Sequence, residues 1–155
     1  MGFAASGLSG SGSTLVYTTD PTSEYALECI TFTIDTDATA GVHRCSLIFE
    51  DAAPVTLAVV PDWNEGGPSE LHRYTFGRGL AAFACTIADK WAVQNDLPLM
   101  ALTPKSTITI LPVDTAGNEL TGDAVSRVVL FGSLMGASGD GGPIPLIMPS
   151  EALAA

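Results

Sequence analysis

Apolar and polar residues alternate along most of the chain between residues 14 and 135. In the segment 26–35, Ile30, Phe32 and Ile34 fall on one side of an extended backbone, while polar or small residues fall on the other. Successive side chains of a strand point to opposite faces, so this alternation indicates a strand with one buried face. The same reasoning predicts about eight strands, over 14–18, 26–35, 42–50, 55–60, 70–76, 99–102, 106–113 and 125–131.

Turn-forming residues separate these segments. The stretches 64–68, 96–98 and 115–118 are rich in glycine, proline, asparagine or aspartate, which favour or tolerate turn dihedrals. Short strands with turn signals roughly every ten residues predict an all-β fold, an antiparallel β-sandwich of jelly-roll type.

The segment 79–93 departs from the alternation. Four large apolar residues recur there at helical spacing in an alanine-rich background, namely Leu80, Phe83, Ile87 and Trp91. Apolar residues three or four positions apart are typical of one face of a helix. The sequence therefore leaves one short helix open within an otherwise all-β domain.

Both ends of the chain differ in composition from the body. Residues 1–13 contain a glycine- and serine-rich run that cannot pack on its own, and we predict a flexible N-terminal arm before a sandwich domain over 14–135. Residues 136–155 combine glycines with apolar residues and prolines, which favours an extended C-terminal arm. The residues of this arm predicted to bind a partner are Pro143, Ile144, Pro145, Leu146, Ile147 and Met148.

The charge balance of the chain limits the kinds of partner that it is expected to bind. The net charge is −11, from 17 carboxylates against 6 lysines and arginines, and the basic residues are scattered singly. Binding to nucleic acid needs clustered cations that displace counterions, so neither nucleic acid nor an anionic membrane is an expected partner. Charged residues make up only 15% of the chain, which suggests apolar surface covered by a partner. No signal peptide and no apolar run of membrane-spanning length is visible.

The residues that usually carry catalysis or bind metals do not form a recognisable pattern. Cys29, Cys45 and Cys85 lack the paired spacing of a zinc site, and we expect free thiols from a reducing compartment. His43 and His72 both fall in predicted strands, with no nucleophile motif that would make a triad. We therefore predict no enzyme activity, no cofactor and no metal site.

Close pairs of carboxylates occur at two predicted strand ends. Asp35 with Asp37 and Glu50 with Asp51 are most simply read as solvated loop residues. The run from Asp35 fails as an EF-hand, because alanine stands where the loop needs glycine and serine where it needs glutamate. An irregular calcium site in the loops stays open as an alternative.

Several runs of the sequence carry a resemblance to a known group of proteins. They are FTIDTDATAGVHR (32–44), RYTFGRGL (73–80), DLPL (96–99), STITI (106–110) and GDAVSRVVL (122–130). Together they are similar to small virion proteins of tailed bacteriophages, over about residues 26–130. The resemblance implies a jelly-roll-like sandwich that serves as a minor or decorating head component, with no catalytic residue to carry over.

We therefore predict a non-enzymatic virion structural protein, made in the host cytoplasm and placed on the capsid exterior or at its vertices. Its expected partners are the major capsid protein, other virion proteins and copies of itself, with a closed cyclic assembly such as a trimer as the default. The alternative is a carbohydrate- or calcium-binding sandwich module used for host attachment. In that case Trp63, in a loop between Asp62 and Asn64, would contact the glycan.

Overall fold

The computed structural model describes residues 2–4, 8–9, 14–19, 22, 24–87, 90–135 and 144–145. Within them every regular element is a strand. In chain order the strands are β1 (Gly2–Ala4), β2 (Leu8–Ser9), β3 (Leu15–Thr18), β4 (Glu24–Asp35), β5 (Arg44–Glu50), β6 (Thr56–Pro61), β7 (Leu71–Gly77), β8 (Phe83–Ile87), β9 (Lys90–Asp96), β10 (Ala101–Leu102), β11 (Thr107–Val113), β12 (Ala124–Met135) and β13 (Ile144–Pro145).

The strands form two sheets. Sheet A has the order β1-β12-β4-β7-β9-β8, with β10 pairing with β4 and β13 with β12, and sheet B has the order β2-β3-β11-β5-β6. Neighbours are antiparallel among the described residues, except that β7 and β9 run parallel. The all-β sandwich predicted from the sequence is confirmed.

The predicted strands correspond to β3, β4, β5, β6, β7, β10, β11 and β12. The largest difference in their bounds is at the end of β12, which continues to Met135 rather than ending at 131.

The helix left open for 79–93 is wrong, because this segment contains β8 and β9. Its apolar residues lie on opposite sides of sheet A, since Phe83 is 57% exposed while Val93 is 3% exposed. β9 bonds to β8 on one side and to β7 on the other, and these two ladders outweigh a short helical pattern. β-branched residues such as Thr86 and Val93 also favour the extended backbone.

The core lies between the two sheets. Sheet A contributes Ile30, Phe32 and Ile34, the residues that alternation had placed on one face, and each is at most 1% exposed. The Phe32 ring stacks on Tyr74 with the ring centres 5.2 Å apart. Sheet B closes the core with Cys45, Leu47, Phe49, Ile108 and Ile110.

Parts of both predicted arms pair with the body of the chain. β1 pairs with β12, and β2 with β3. In the C-terminal arm, Ile144 lies opposite Leu134 and Pro145 opposite Ser133. Residues 143 and 146–148 lie outside the described residues, so their role in binding a partner stays a prediction.

Candidate functional site

A buried polar cluster lies where three loops of the sandwich meet. The loops are 36–43 between β4 and β5, 62–70 between β6 and β7, and 114–123 between β11 and β12. Polar groups buried this deeply are stable only where they find partners. The hydrogen bonds of its two histidines therefore show which protonation states and which chemical roles the cluster allows.

His43 is bonded through both ring nitrogens. Its Nδ1 lies 3.0 and 2.9 Å from the two carboxylate oxygens of Asp123, and its Nε2 lies 2.9 Å from the backbone carbonyl oxygen of Thr39. Carboxylate and carbonyl oxygens accept hydrogen bonds, so both nitrogens must donate. Only the imidazolium has two N–H groups, so this geometry fits a positively charged His43 paired with a negatively charged Asp123.

The pKa of His43 lies above its ordinary value for the same reason. Burial alone would lower the pKa, but the hydrogen bonds to Asp123 and Thr39 and the charges of Asp123 and Asp37 outweigh it. Asp123 also accepts a hydrogen bond from the backbone N–H of Asp37, at 3.0 Å. One carboxylate therefore ties the loop 114–123 to the loop 36–43.

His72, on β7, is fully buried but has weaker partners. Its Nε2 lies 3.1 Å from Oε2 of Glu70, a side chain that is 47% exposed, and its Nδ1 lies 3.4 Å from the Tyr74 hydroxyl. Burial lowers the pKa of His72, and the hydrogen bond and charge of Glu70 offset that only in part. At neutral pH the ring is therefore uncharged.

Two glycines let the backbone approach these residues closely. A Cβ atom at Gly66 would clash with Cε1 of the His72 ring, and a Cβ atom at Gly122 would clash with the Asp37 carboxylate. The carbonyl oxygen of Gly66 also accepts a hydrogen bond from the backbone N–H of His43, at 2.9 Å. Gly66 thus lies against both histidines at once.

The cluster is arranged to hold loops together. Its histidines are hydrogen-bonded to carboxylates, a carbonyl and a phenol, with no serine or cysteine among their described partners. Asp37, His43 and Asp123 have ligand atoms within 4.8 Å of one another. A metal ion would nevertheless have to displace the proton that His43 donates to Asp123. The Asp37 carboxylate is bonded to the N–H and hydroxyl of Thr39, at 2.9 and 2.8 Å.

A second feature, the β6 row, lies on the outer face of sheet B. We define it as Val55, Leu57, Val59 and Trp63, which are 56%, 46%, 54% and 74% exposed. Alternation places them on one side, while Ala58 and Val60 point towards the core. β6 ends the sheet and pairs only with β5 among the described residues. It therefore presents a free backbone edge beside an exposed apolar face.

Trp63 is held at the end of this row by its neighbours. Oδ1 of Asp62 accepts hydrogen bonds from the backbone N–H and side-chain amide of Asn64, at 3.0 and 2.7 Å. Asp62 is 2% exposed, so its carboxylate faces the interior rather than a ligand beside Trp63. The guanidinium of Arg44 lies 6.0 Å from the centre of the Trp63 ring and 3.1 Å from the Glu65 carboxylate.

The cysteines are free thiols, as predicted. Burial raises the pKa of Cys45 well above its ordinary value, and the charge of Asp62 raises it further. Cys29 is half-buried, and burial raises its pKa as well. Burial therefore favours the thiol, the less reactive form of cysteine, at Cys29 and Cys45.

The sequence interpretation missed Asp123 and the two close-approach glycines. His43 and Asp123 are 80 positions apart, and no local motif joins them. The signal that was available is a pair of lone histidines in predicted strands beside loops rich in glycine and aspartate. That pattern indicates polar groups near strand ends but not which carboxylate meets which ring.

No protein-family model matches the chain, and no curated protein matches it. One solved structure that it is similar to is described as "Structure of infectious bursal disease virus Gt strain", at 12% identity and a TM-score of 0.36. The match covers 94% of this chain and 35% of the viral chain, so the protein spans about a third of that chain's length. At this TM-score the likeness supports no conclusion about fold or function. Among the described residues no helix is long and apolar enough to cross a membrane.

Proposed function

We propose that the protein is a non-enzymatic virion structural protein, a capsid decoration or minor head protein that binds the major capsid protein through β6. The observation that carries the proposal is the β6 row on an unpaired edge strand. A free edge can accept a strand from a neighbouring chain, and the backbone bonds then supply affinity while the outward side chains supply specificity.

The composition of the row supports an interface. The segment 55–60 carries no charge, and no lysine protects the strand. Pro54 and Pro61 lie at its two ends, so the part of the edge between them stays open to pairing. Trp63 and Arg44 at its end belong to the residue types that most often dominate binding energies in interfaces. The resemblance to small virion proteins of tailed bacteriophages points to the same class of function. Copies of this chain in a closed homo-oligomer could share the same edge.

A single charge in the row tests the proposal. Leu57→Lys places an ammonium group at the centre of the proposed contact without disturbing the core, because Leu57 is 46% exposed. We expect the variant to keep the wild-type melting temperature and to lose at least tenfold in binding to purified capsid shells, measured by co-sedimentation. Leu99→Lys is the matched control, because Leu99 is 73% exposed away from β6, and it should bind like the wild type.

The role in the virion can be tested by asking whether the protein is present in purified particles. Mass spectrometry of purified virions should find the chain at a fixed copy number, and particles made with Leu57→Lys should lack it. Absence of the wild-type chain from virions, or normal incorporation of Leu57→Lys, contradicts the proposal.

A glycan-binding module is the second candidate, favoured by the 74% exposure of Trp63 beside the Arg44 guanidinium. An exposed indole can stack on a sugar ring, while Arg44 could bond its hydroxyls. Binding on a glycan array that disappears in Trp63→Ala, and persists in Leu57→Lys, would support this candidate over the first. A calcium-dependent rise in melting temperature would support the calcium-binding form of the alternative.

A further inference from the structure

The outer face of sheet A contains a cleft that the assembly proposal does not use. Its volume is about 370 Å³, and its lining includes three threonines, a valine and two arginines, namely Thr31, Thr33, Thr75, Val129, Arg73 and Arg127. This volume is in the range of pockets for small ligands, about 300–1,000 Å³.

The strand register explains how the two arginines flank the cleft. Thr33 on β4 lies opposite Arg73 on β7 and opposite Ser126 on β12. Because neighbouring strands lie about 4.8 Å apart, the backbones of β7 and β12 are separated by about 10 Å across β4. An arginine from either side can therefore reach over the threonines between them.

Arg127 reaches the cleft through a distortion of β12. Ser126 pairs with Thr33 and Val129 with Thr31, so Arg127 and Val128 together lie opposite one residue of β4. Arg127 has a φ of 54°, in a region that residues other than glycine rarely adopt. Val128 stays 5% exposed towards the core while Arg127 is turned out. Bulges re-aim side chains in this way, and strained backbone is often associated with functional sites.

Neither guanidinium group has a counter-ion within the part of the chain that the structure describes. Among the residues that the structure describes, the arginines with carboxylate partners are Arg44 and Arg78, and neither Arg73 nor Arg127 has an ion pair or side-chain hydrogen bond. Farther along the same face, Asp35 on β4 and Lys90 on β9 have opposite charges, so the cleft keeps the positive charge of its arginines.

We propose that this cleft binds an oxyanion carried by a small molecule, with Arg73 and Arg127 holding the anionic group from either side. Guanidinium groups bond carboxylate, phosphate and sulfate oxygens in pairs. The hydroxyls of Thr31 and Thr75, which are half-buried, can bond the same group or hydroxyls of the molecule that carries it. Thr33 lies deeper, at 5% exposure. The inference is independent of the β6 proposal, because the cleft lies on the other sheet.

The test is a thermal-shift titration at constant ionic strength, with inorganic phosphate and glucose 6-phosphate as probes and glucose as the neutral control. We expect both anions to give a saturating rise in melting temperature, about 3–5 °C at ten times the dissociation constant. Glucose should give none. Chloride replaces phosphate in the reference samples, so that general salt effects are subtracted.

The variants Arg73→Gln and Arg127→Gly should each lose the saturating rise. Glycine suits the positive φ at 127, so Arg127→Gly should melt at or above the wild-type temperature without a ligand, which shows that the fold is intact. Arg78→Gln is the matched control, because it removes a guanidinium that is already paired with Glu28 at 3.2 Å, and it should respond like the wild type.

Two outcomes would overturn the inference. One is an equal response to phosphate and glucose 6-phosphate in the wild type, Arg73→Gln and Arg127→Gly. The other is a wild-type protein that responds to neither anion.

Discussion

His43 and His72 lie in the same polar cluster, against the same glycine, yet His43 is held as a cation and His72 is held uncharged. The difference lies in the groups around each ring. His43 bonds to a carboxylate and a carbonyl, with Asp37 nearby, whereas His72 bonds to a carboxylate and a phenol. The Asp123 side chain is 0% exposed, whereas the Glu70 side chain is 47% exposed. The electrostatic attraction between a buried carboxylate and its neighbour is strong because little water lies between them, whereas water screens the attraction of an exposed carboxylate. Burial lowers the pKa of both rings, and the partners of each ring then set its charge, with a buried carboxylate favouring the cation more than an exposed one does.

The largest effect should come from removing the buried anion. Asp123→Asn keeps the shape of the side chain but leaves the His43 cation without a counter-charge. We expect a loss of about 3 kcal/mol in the free energy of unfolding, measured by urea denaturation at pH 6. The matched change at the other histidine, Glu70→Gln, should cost less than about 1 kcal/mol, because that pair is partly solvated. Equal losses would show that the two pairs do not differ as described.

The substitution Gly66→Ala tests the close packing of Gly66 against the two histidines. A methyl group in Gly66→Ala would clash with the fully buried His72 ring, which is also hydrogen-bonded to Glu70 and Tyr74. We expect a loss of about 2 kcal/mol by the same assay, typical of an overpacked core. Gly67→Ala is the control, because its methyl group would meet only the end of the Glu70 side chain, 3.3 Å away. A loss in Gly67→Ala as large as in Gly66→Ala would contradict the role given to the His72 ring.

The two histidines should also give the stability opposite dependences on pH. The raised pKa of His43 contributes stability that is fully present below pH ~6.5 and is lost as the pH rises through the folded-state pKa. The lowered pKa of His72 contributes stability that is present above pH ~6.5 and is lost as the pH falls. Each slope is limited to about 1.4 kcal/mol per pH unit for one group.

Denaturation curves from pH 5 to 8 can separate the two contributions. His43→Gln should flatten the alkaline side of the profile and His72→Gln the acid side, whatever each substitution does to the absolute stability. If both variants changed the same side of the profile, the assignment of a charged His43 and an uncharged His72 would be wrong.

The smallest effect is expected at Gly122. A methyl group there would clash with the Asp37 carboxylate, but this side chain is only half-buried and can turn towards solvent. Gly122→Ala should lower the melting temperature by less than about 2 °C, measured by calorimetry. If Gly122→Ala lowered the melting temperature as much as Gly66→Ala does in the same calorimetric assay, the Asp37 side chain would be held as firmly as the His72 ring.

Alternation alone predicted the inward faces of the long strands. Ile30, Phe32 and Ile34 could be placed because this part of β4 keeps a period of two. The period breaks nearer the start of the strand, where Leu27 is also buried beside a register shift in the ladder with β12. The segment 79–93 could not be interpreted in the same way. β8 and β9 owe their conformation to ladders with each other and with β7, and spacing within the segment does not reveal such partners.

The candidate sites were even harder to predict from the sequence than β8 and β9. The His43–Asp123 pair joins residues 80 positions apart, and the cleft depends on a bulge that turns Arg127 outward. Neither the pairing of His43 with Asp123 nor the register of β12 can be read from the residues next to them in the sequence. The apolar segment 55–60 predicted a strand, but not that Val55, Leu57 and Val59 are exposed. What the sequence left open was that this strand lies at an edge.

The order of strands in sheet A also has a consequence for how the chain folds. β4 lies between β7 and β12, with Glu24 opposite Met135 at one end of its long ladder with β12. Proteins dominated by such distant pairings fold slowly, in milliseconds to seconds. During synthesis, at about 5–20 residues per second, β4 must wait about 5–20 s for β12 to emerge. One edge of β4 stays unpaired over that interval, so the nascent chain is most prone to aggregation before its second long strand is made.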